Sequence, residues 1–311
     1  MKKAINFVRG AVAKNDAVPI LTHIHVYDGR VQTSNGKMCI DTPCEEFKGM
    51  NFTCKQKTFL LAIDNCDDEP ELIVKADTLT VRSGKFKTSF KMLPEEYPLT
   101  EIDHSLIIKP NITILNVLRN LLPFVSDESK RPWAMGIFFN HEKAYATNAI
   151  VMAAMSVPDI GFFNLSADAA TELIRINKEP VGVYSTENHL VFLYDDDSWI
   201  RANNLSTEWP DVSKFIPDEV NGTEVTANFI RDVERVGKFS PDTKVHFSEF
   251  GLRTTGDECT ITDYDLPKST FRVDIINSVL TVSDVIDLTK YPNPCPFMSA
   301  DIKGVVIGMA N

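Results

Sequence analysis

The sequence predicts an α+β fold in which one structural unit, two helices packed on antiparallel sheets, is repeated three times. Three observations lead there: a recurring order of helix and strand signals, a register of about 110 residues between the copies, and a 311-residue length that can hold several cores. Val31-Gln32-Thr33-Ser34-Asn35, Ala144-Tyr145-Ala146-Thr147-Asn148 and Leu252-Arg253-Thr254-Thr255-Gly256 each read as a strand ending in small polar residues. They end at positions 35, 148 and 256, which are 113 and 108 residues apart. Upstream, Pro19-Ile20 and Pro132-Trp133 open the preceding strands, again 113 apart. Downstream, Leu93-Pro94-Glu95-Glu96-Tyr97-Pro98 recurs as Leu205-Ser206-Thr207-Glu208-Trp209-Pro210, 112 residues later. The spacings place boundaries near 104 and 217, giving domains 1–104, 105–217 and 218–311.

Each copy opens with a helical face. Ile5, Val8 and Val12 define it in the first. Ile114, Leu115, Leu118, Leu121 and Leu122 define it in the second, with Asn111 after Pro110 as its cap. Phe229, Val233 and Val236 define it in the third. A second helix is expected midway through each copy, around Thr58–Ile63, Asp168–Ile176 and Asp274–Leu280. The rest reads as short strands and turns, for example Leu72-Ile73-Val74-Lys75, then Leu79-Thr80-Val81-Arg82, then the turn Ser83-Gly84.

Composition narrows the class. No run of about eighteen apolar residues is present, so no membrane span is expected. Asn6 and Arg9 interrupt the apolar stretch that a signal peptide needs, and Met1–Arg9 reads as a short amphipathic helix. Six scattered cysteines in a chain of this size predict a reduced, cytoplasmic protein. The net charge of −11 weakens the case for DNA binding on an open surface. Whole-chain charge does not set the potential inside a concave face, which basic helices can still line.

These residues resemble a known family. The run Leu79-Thr80-Val81-Arg82-Ser83-Gly84, continuing to Leu93-Pro94-Glu95-Glu96-Tyr97-Pro98, is similar to the end of the first domain of the bacterial DNA polymerase III beta sliding clamp, with its "VRSG" turn and "LP…(D/E)(F/Y)P". Arg131-Pro132 through Ala146-Thr147-Asn148, then Trp209-Pro210-Asp211 and Phe215-Ile216-Pro217, resemble its middle domain. Phe271-Arg272-Val273-Asp274 through Leu280 resembles its final helix, and Val305-Val306-Ile307-Gly308-Met309 its terminal "VVMPMR". The likeness covers nearly the whole chain in order. Three departures stand out: a missing first strand, a third repeat of 94 residues short enough to have lost a hairpin, and Asn148-Ala149-Ile150-Val151 where the family has the charged "DGHR". A compact, divergent clamp of the kind a phage or plasmid encodes fits these features.

The resemblance implies a processivity factor rather than an enzyme, with no catalytic residue, metal or cofactor. Two chains would pair head to tail into a ring around duplex DNA, indifferent to sequence, and would tether a polymerase and the clamp loader through a short peptide. Phosphate contacts suit that task, since they give affinity without reading bases. Arg231, Arg235 and Lys238 follow one another at i, i+4 and i+7, opposite the apolar face of their helix. Arg175 and Lys178 sit on another helix, Lys2, Arg9, Lys14 and Arg119 belong to first helices, and Arg131 precedes Pro132. Taken alone, such cations usually form only a solvated helix face. By resemblance they line the pore. The partner groove maps to Thr147, Met152, Pro210, Lys214, Phe215, Val305, Val306, Ile307, Gly308 and Met309. For closure, the alternating Lys85, Lys87 and Lys91 would meet Glu258, Asp263 and Asp265, with Phe239 as an apolar anchor.

Two other readings are open from the residues. Asp195-Asp196-Asp197 with Asp263 or Asp265 could serve an acidic, metal-dependent enzyme, although the run between Leu193-Tyr194 and Trp199-Ile200 reads better as a hairpin turn. A β-rich virion or scaffold protein is the other. His23 and His25 share a strand face without further ligands at metal spacing, and no P-loop, dinucleotide fingerprint or nucleophile elbow is present.

Overall fold

Three times along the chain a helix leads into three strands, a fourth strand runs directly into a second helix, and three more strands follow. The computed structural model describes residues 1–311 except Asp16, 107–112, Ser129, 206–207 and 310–311. The first copy is α1 (Lys2–Val8), β1 (His23–Tyr27), β2 (Arg30–Ser34), β3 (Met38–Pro43), β4 (Asn51–Lys55), α2 (Gln56–Asp64), β5 (Glu71–Lys75), β6 (Thr78–Ser83) and β7 (Phe86–Lys91). The second is α3 (Ile114–Leu121), β8 (Gly136–Asn140), β9 (Lys143–Thr147), β10 (Val151–Ser156), β11 (Phe162–Ser166), α4 (Ala167–Ile176), β12 (Gly182–Ser185), β13 (His189–Leu193) and β14 (Trp199–Asn203). The third opens with a two-residue strand, β15 (Thr223–Glu224), before α5 (Ala227–Gly237), β16 (Lys244–Ser248), β17 (Gly251–Arg253) and β18 (Thr260–Ile261). It continues with β19 (Ser269–Arg272), α6 (Val273–Val282), β20 (Val285–Ile286), β21 (Cys295–Met298) and β22 (Ile302–Val306).

The sheets do not follow the repeats. The chain divides into two compact units, Met1–Pro110 with Arg175–Asn204, and Asn111–Ile174 with Leu205–Asn311. In the first unit, one seven-stranded sheet runs β12-β13-β14-β3-β2-β1-β4, and a separate sheet holds β5-β6-β7. The second trio of repeat two is thus joined to the first trio of repeat one, with Ile200 opposite Ile40 at the seam. In the second unit, the eight-stranded sheet runs β11-β8-β9-β10-β22-β21-β20-β15, joining repeats two and three with Met152 opposite Val305. The remaining sheet is β18-β17-β16-β19. Every ladder among the described residues is antiparallel, so short strands with one buried face suffice.

Burial follows the periodicity. In the first unit α1 buries Ala4, Ile5 and Val8 against β2 and β3. Phe59 of α2, fully buried, meets Phe47, Phe52 and Phe90 at centroid distances of 6.4, 5.9 and 6.3 Å. Truncating such a ring to alanine costs roughly 3–5 kcal/mol. In the second unit α5 turns Phe229, Val233 and Val236 inward, and α6 packs on it through Ile276, Val279 and Leu280. Thr226 starts α5 by accepting the Phe229 N–H at 3.2 Å. Gly237 permits the close helix crossing, because a Cβ there would stand 2.3 Å from Val273 Cγ1.

The structure corrects several expectations. Pro19 and Pro132 do not open strands. Each begins a short 3-10 turn, Pro19–Thr22 and Pro132–Ala134, that delivers the chain into β1 or β8. Proline's fixed φ and missing N–H suit the first position of such a turn. Val12 lies beyond α1, which tightens after Val8 into a 3-10 turn over Arg9–Ala11 containing Gly10, and Ala11 takes the buried place. The third repeat has lost no hairpin: both its strand trios are present, and clipped strands of two or three residues, β17, β18 and β20, account for its brevity. Asn111, expected as the α3 cap, lies outside the described residues.

Candidate functional surfaces

The basic positions divide into two kinds. Arg231, Arg235 and Lys238 stand exposed along the outer face of α5, opposite its apolar stripe. Between them Asp232 is only 9% exposed, with one carboxylate oxygen 3.5 Å from Arg231 Nε and 3.3 Å from Arg235 Nη1. Its other oxygen accepts the Tyr264 hydroxyl at 2.9 Å. Burial opposes ionisation of Asp232, but Tyr264 and the two arginines outweigh it and hold the carboxyl below its ordinary range. Burial and that same carboxylate push the Tyr264 phenol up to about 12.

Arg175 and Lys178 are engaged internally. The Arg175 guanidinium donates to the carbonyls of Asn6 and Phe7 at 2.9 and 2.7 Å, satisfying the C-terminal end of α1. Lys178 pairs with Asp195 and Asp196 at 2.5 and 3.0 Å and lies 5.6 Å from the Tyr194 ring centre. Burial lowers its pKa, yet the two carboxylates more than compensate and raise it. Lys2 is exposed and reaches Asp64 at 2.6 Å, while Arg9, Lys14, Arg119 and Arg131 lie at the surface. Lys14 and Lys178, expected on helices, lie instead in the irregular backbone that follows α1 and α4, because those helices end at Val8 and Ile176. Asp195-Asp196-Asp197 forms the turn between β13 and β14, and Asp197 accepts Arg30 through its carboxylate (3.3 Å) and its carbonyl (2.8 Å). Among the described residues no three His, Cys, Asp or Glu side chains gather as a metal site. His25 is a core residue, bonded to Thr53 at 2.8 Å, and His23 contacts the Pro19 carbonyl at 2.8 Å.

The groove positions collect in the second unit. Thr147, Met152 and Val305 are successive cross-strand neighbours on β9, β10 and β22, so all three share one face of the eight-stranded sheet. Thr147 is buried and donates to the Val151 carbonyl at 2.7 Å. It helps close the turn in which Asn148 Oδ1 accepts from Ile150 and Val151 N–H at 3.0 and 2.8 Å. On the same face the segment from Trp209 to Ile216 lies over Phe138, Tyr145 and Ala154, with Met152 partly buried beside it. Trp209 stacks on Phe138 at 5.0 Å and 10°, and a cleft of about 360 Å³ opens between Phe138, Tyr145, Phe162, Trp209 and Pro210. Lys214 is exposed, 5.3 Å from the ring of the exposed Phe215. Val306 is wholly buried, whereas Val305, Ile307, Gly308 and Met309 retain exposure. The tail is pinned by Met309 N–H donating to the Thr270 carbonyl at 2.8 Å and the Tyr291 hydroxyl donating to the Met309 carbonyl. Gly308 lies so close to Tyr291 that a Cβ would come within 2.6 Å of its ring. Sequence reasoning used Trp209 as a repeat marker and in the family likeness but not as a groove residue, and it missed Phe138, Tyr145 and Val212; an aromatic before Pro210 facing alternate strand aromatics was the available signal.

The expected closing edges are strand edges. β7 borders its three-stranded sheet with Lys87 and Lys91 exposed, and Lys85 sits in the turn before it. β18 borders its four-stranded sheet, flanked by the exposed Glu258, Asp263 and Asp265. Phe239, just past α5, is 65% exposed.

No family model and no curated protein matches the sequence. Solved structures do. A DNA polymerase sliding clamp from Bacillus subtilis superposes with a TM-score of 0.81 at 16% identity, over 100% of this chain and 97% of that one. The Helicobacter pylori beta clamp bound to a DNA ligase peptide gives 0.81 at 15% identity, over 99% and 97%. The beta subunit of DNA polymerase from Streptococcus pyogenes gives 0.80 at 16%, over 100% and 97%. The chain therefore has the sliding-clamp fold throughout its length.

Proposed function

We propose that this protein is a DNA sliding clamp, a non-enzymatic processivity factor that closes around duplex DNA and tethers a polymerase to it. The carrying observation is a rule of strand pairing that leaves two edges over. At each internal seam the last strand of a second trio pairs with the last strand of a first trio: β14 with β3, and β22 with β10. Applied once more, the rule leaves β7, last of the second trio in repeat one, and β18, last of the first trio in repeat three. Both are sheet edges, one flanked by lysines and the other by carboxylates. A second copy of the chain can satisfy both, β7 to β18 and β18 to β7, which makes a closed head-to-tail dimer in which neither of these two edges is left unpaired. Phe239 would be the apolar anchor beside the seam. The domains, 1–104, 105–217 and 218–311, would then number six in the ring.

The chemistry of holding DNA follows from exposed cations on and beside the first helices. Arg231, Arg235 and Lys238, with Lys2, Arg9, Lys14, Arg119 and Arg131, offer phosphate contacts without base readout, so the ring can hold DNA and still slide. Arg175 and Lys178 support this surface indirectly, by fixing α1 and the 195–197 turn. The groove around Met152, Pro210, Phe215, Val305 and Met309 receives the short apolar peptides of a polymerase and a clamp loader. The DNA ligase peptide on the Helicobacter pylori clamp is a precedent on this fold. Methionine side chains adapt to varied anchors, and a few apolar contacts carry most of the affinity. The work is done in the cytoplasm and requires no cofactor. Light scattering tests the reading: a mass of two chains at micromolar concentration supports it, and a monomer throughout that range overturns the closure.

A further inference from the structure

The register that aligns Pro19 with Pro132 and Tyr97 with Trp209 also reproduces the aromatic bed of the partner groove inside the first repeat. His25, the third residue of β1, takes the place of Phe138, the third residue of β8. Their cross-strand partners, Thr53 and Asn164, correspond as well. Tyr97 lies on His25 with ring centres 5.0 Å and planes 4° apart, as Trp209 lies on Phe138 at 5.0 Å and 10°. Beside the Tyr97–His25 stack a cleft of about 430 Å³ opens, comparable with about 360 Å³ beside Trp209.

The two clefts differ in charge. Asp77, Glu95 and Glu96 are exposed around the first, and no lysine or arginine lines it. Leu99, half exposed, stands where the second-repeat cleft has Asp211, so the apolar contact is turned outward. Burial holds His25 neutral to lower pH than usual, which leaves the aromatic floor without a compensating cation. A floor of mixed polarity, in which Phe52, Met92, Leu93 and Leu99 supply the apolar part, lies beneath a rim of three carboxylates and is complementary to an apolar anchor between positive charges.

We propose that this cleft is a second peptide-docking site, for an extended segment of a partner protein carrying a leucine or aromatic anchor flanked by lysine or arginine. It is separate from the groove around Phe215 and Met309 and selects a different peptide, so one chain can hold two partners of unlike charge.

Fluorescence anisotropy with the full chain tests this. The probe is a fluorescein-labelled peptide of sequence Lys-Arg-Leu-Phe-Lys-Arg, compared with Glu-Asp-Leu-Phe-Glu-Asp. The cationic probe should bind at least tenfold more tightly than the acidic one, and more weakly as salt rises. Leu99→Glu, and separately the pair Glu95→Lys with Glu96→Lys, should each weaken it at least tenfold. These side chains are exposed, so thermal melting should confirm an intact fold. Phe215→Ala and Met309→Ala should leave this probe unaffected, which keeps the test independent of the partner-groove reading. Absence of binding, equal binding of both probes, insensitivity to the Leu99 and Glu95/Glu96 changes, or loss on Phe215→Ala would each overturn the site.

Discussion

Replacing Arg231, Arg235 and Lys238 together by alanine strips three exposed cations from one face of α5 while leaving its buried stripe untouched. Each phosphate neutralised by a cation contributes about −0.9 to the slope of log affinity against log salt, so losing three contacts flattens the slope by about 2.7 per chain. Asp232, 3.5 and 3.3 Å from the two arginines, offsets about one charge and sets a lower bound near 1.8. Across 50 to 200 mM salt, the upper figure means that the unaltered protein loses roughly 40-fold more affinity than the variant. Losing Lys238 should move stability by only about 0.5 kcal/mol. Losing both arginines strips the cationic partners of Asp232 and costs on the order of 1 kcal/mol, which the melting curves will show as a modest shift in a still folded variant. Fluorescence titration of a labelled duplex at several salt concentrations, with melting curves for both proteins, provides the measurement. An unchanged slope in a folded variant would refute the assignment of this helix face to DNA.

The charge on the same face can also be raised: Asp232→Asn should tighten duplex binding and steepen the salt slope by about one, read in the same titration. Because the Asp232 carboxyl is held below its ordinary range, its stabilisation is present above about pH 4 and lost as pH falls through the lowered value. Tyr264→Phe removes a donor that lowers this pKa, so its acid unfolding, followed by circular dichroism, should begin at higher pH than in the unaltered chain. Lys87→Glu with Lys91→Glu should shift the dimer to monomer in light scattering, and Phe239→Asp should do the same. Deleting the last five residues, or changing Phe215 and Met309 to alanine, should cost roughly 1–3 kcal/mol of polymerase-peptide affinity by calorimetry, with dimer mass unchanged.

The repeat and its helices are legible in the sequence because burial imposes a period. Ile114, Leu115, Leu118 and Leu121 must share a face, and the Tyr97-Pro98 and Trp209-Pro210 pairs mark the same place in two copies. Strand pairing between repeats is not legible. Spacing identifies a trio of strands but carries no information on which trio it joins, and the β14–β3 and β10–β22 seams depend on tertiary register. The roles of cations are equally hidden. Arg175 and Arg231 look alike along the chain, yet one ends on the carbonyls of α1 and the other stands exposed beside Asp232. Helical spacing shows that a side chain leaves the core face, not what it meets there. The groove positions carry a similar mixture: Val305 and Val306 are adjacent, but strand alternation sends one to the groove face and the other into the core. The Tyr97–His25 bed has no signal in a single copy and emerges only when the two copies are superposed.

Encirclement is the central claim, and topology tests it most directly. The protein is loaded by its cognate loader onto nicked circular DNA, freed of unbound protein by gel filtration, and the DNA is then cut once. A closed ring should remain on the circle through the column and slide off after linearisation, as it has no tight grip on any one site. Equal retention on circular and linear DNA would contradict encirclement and leave only ordinary surface binding.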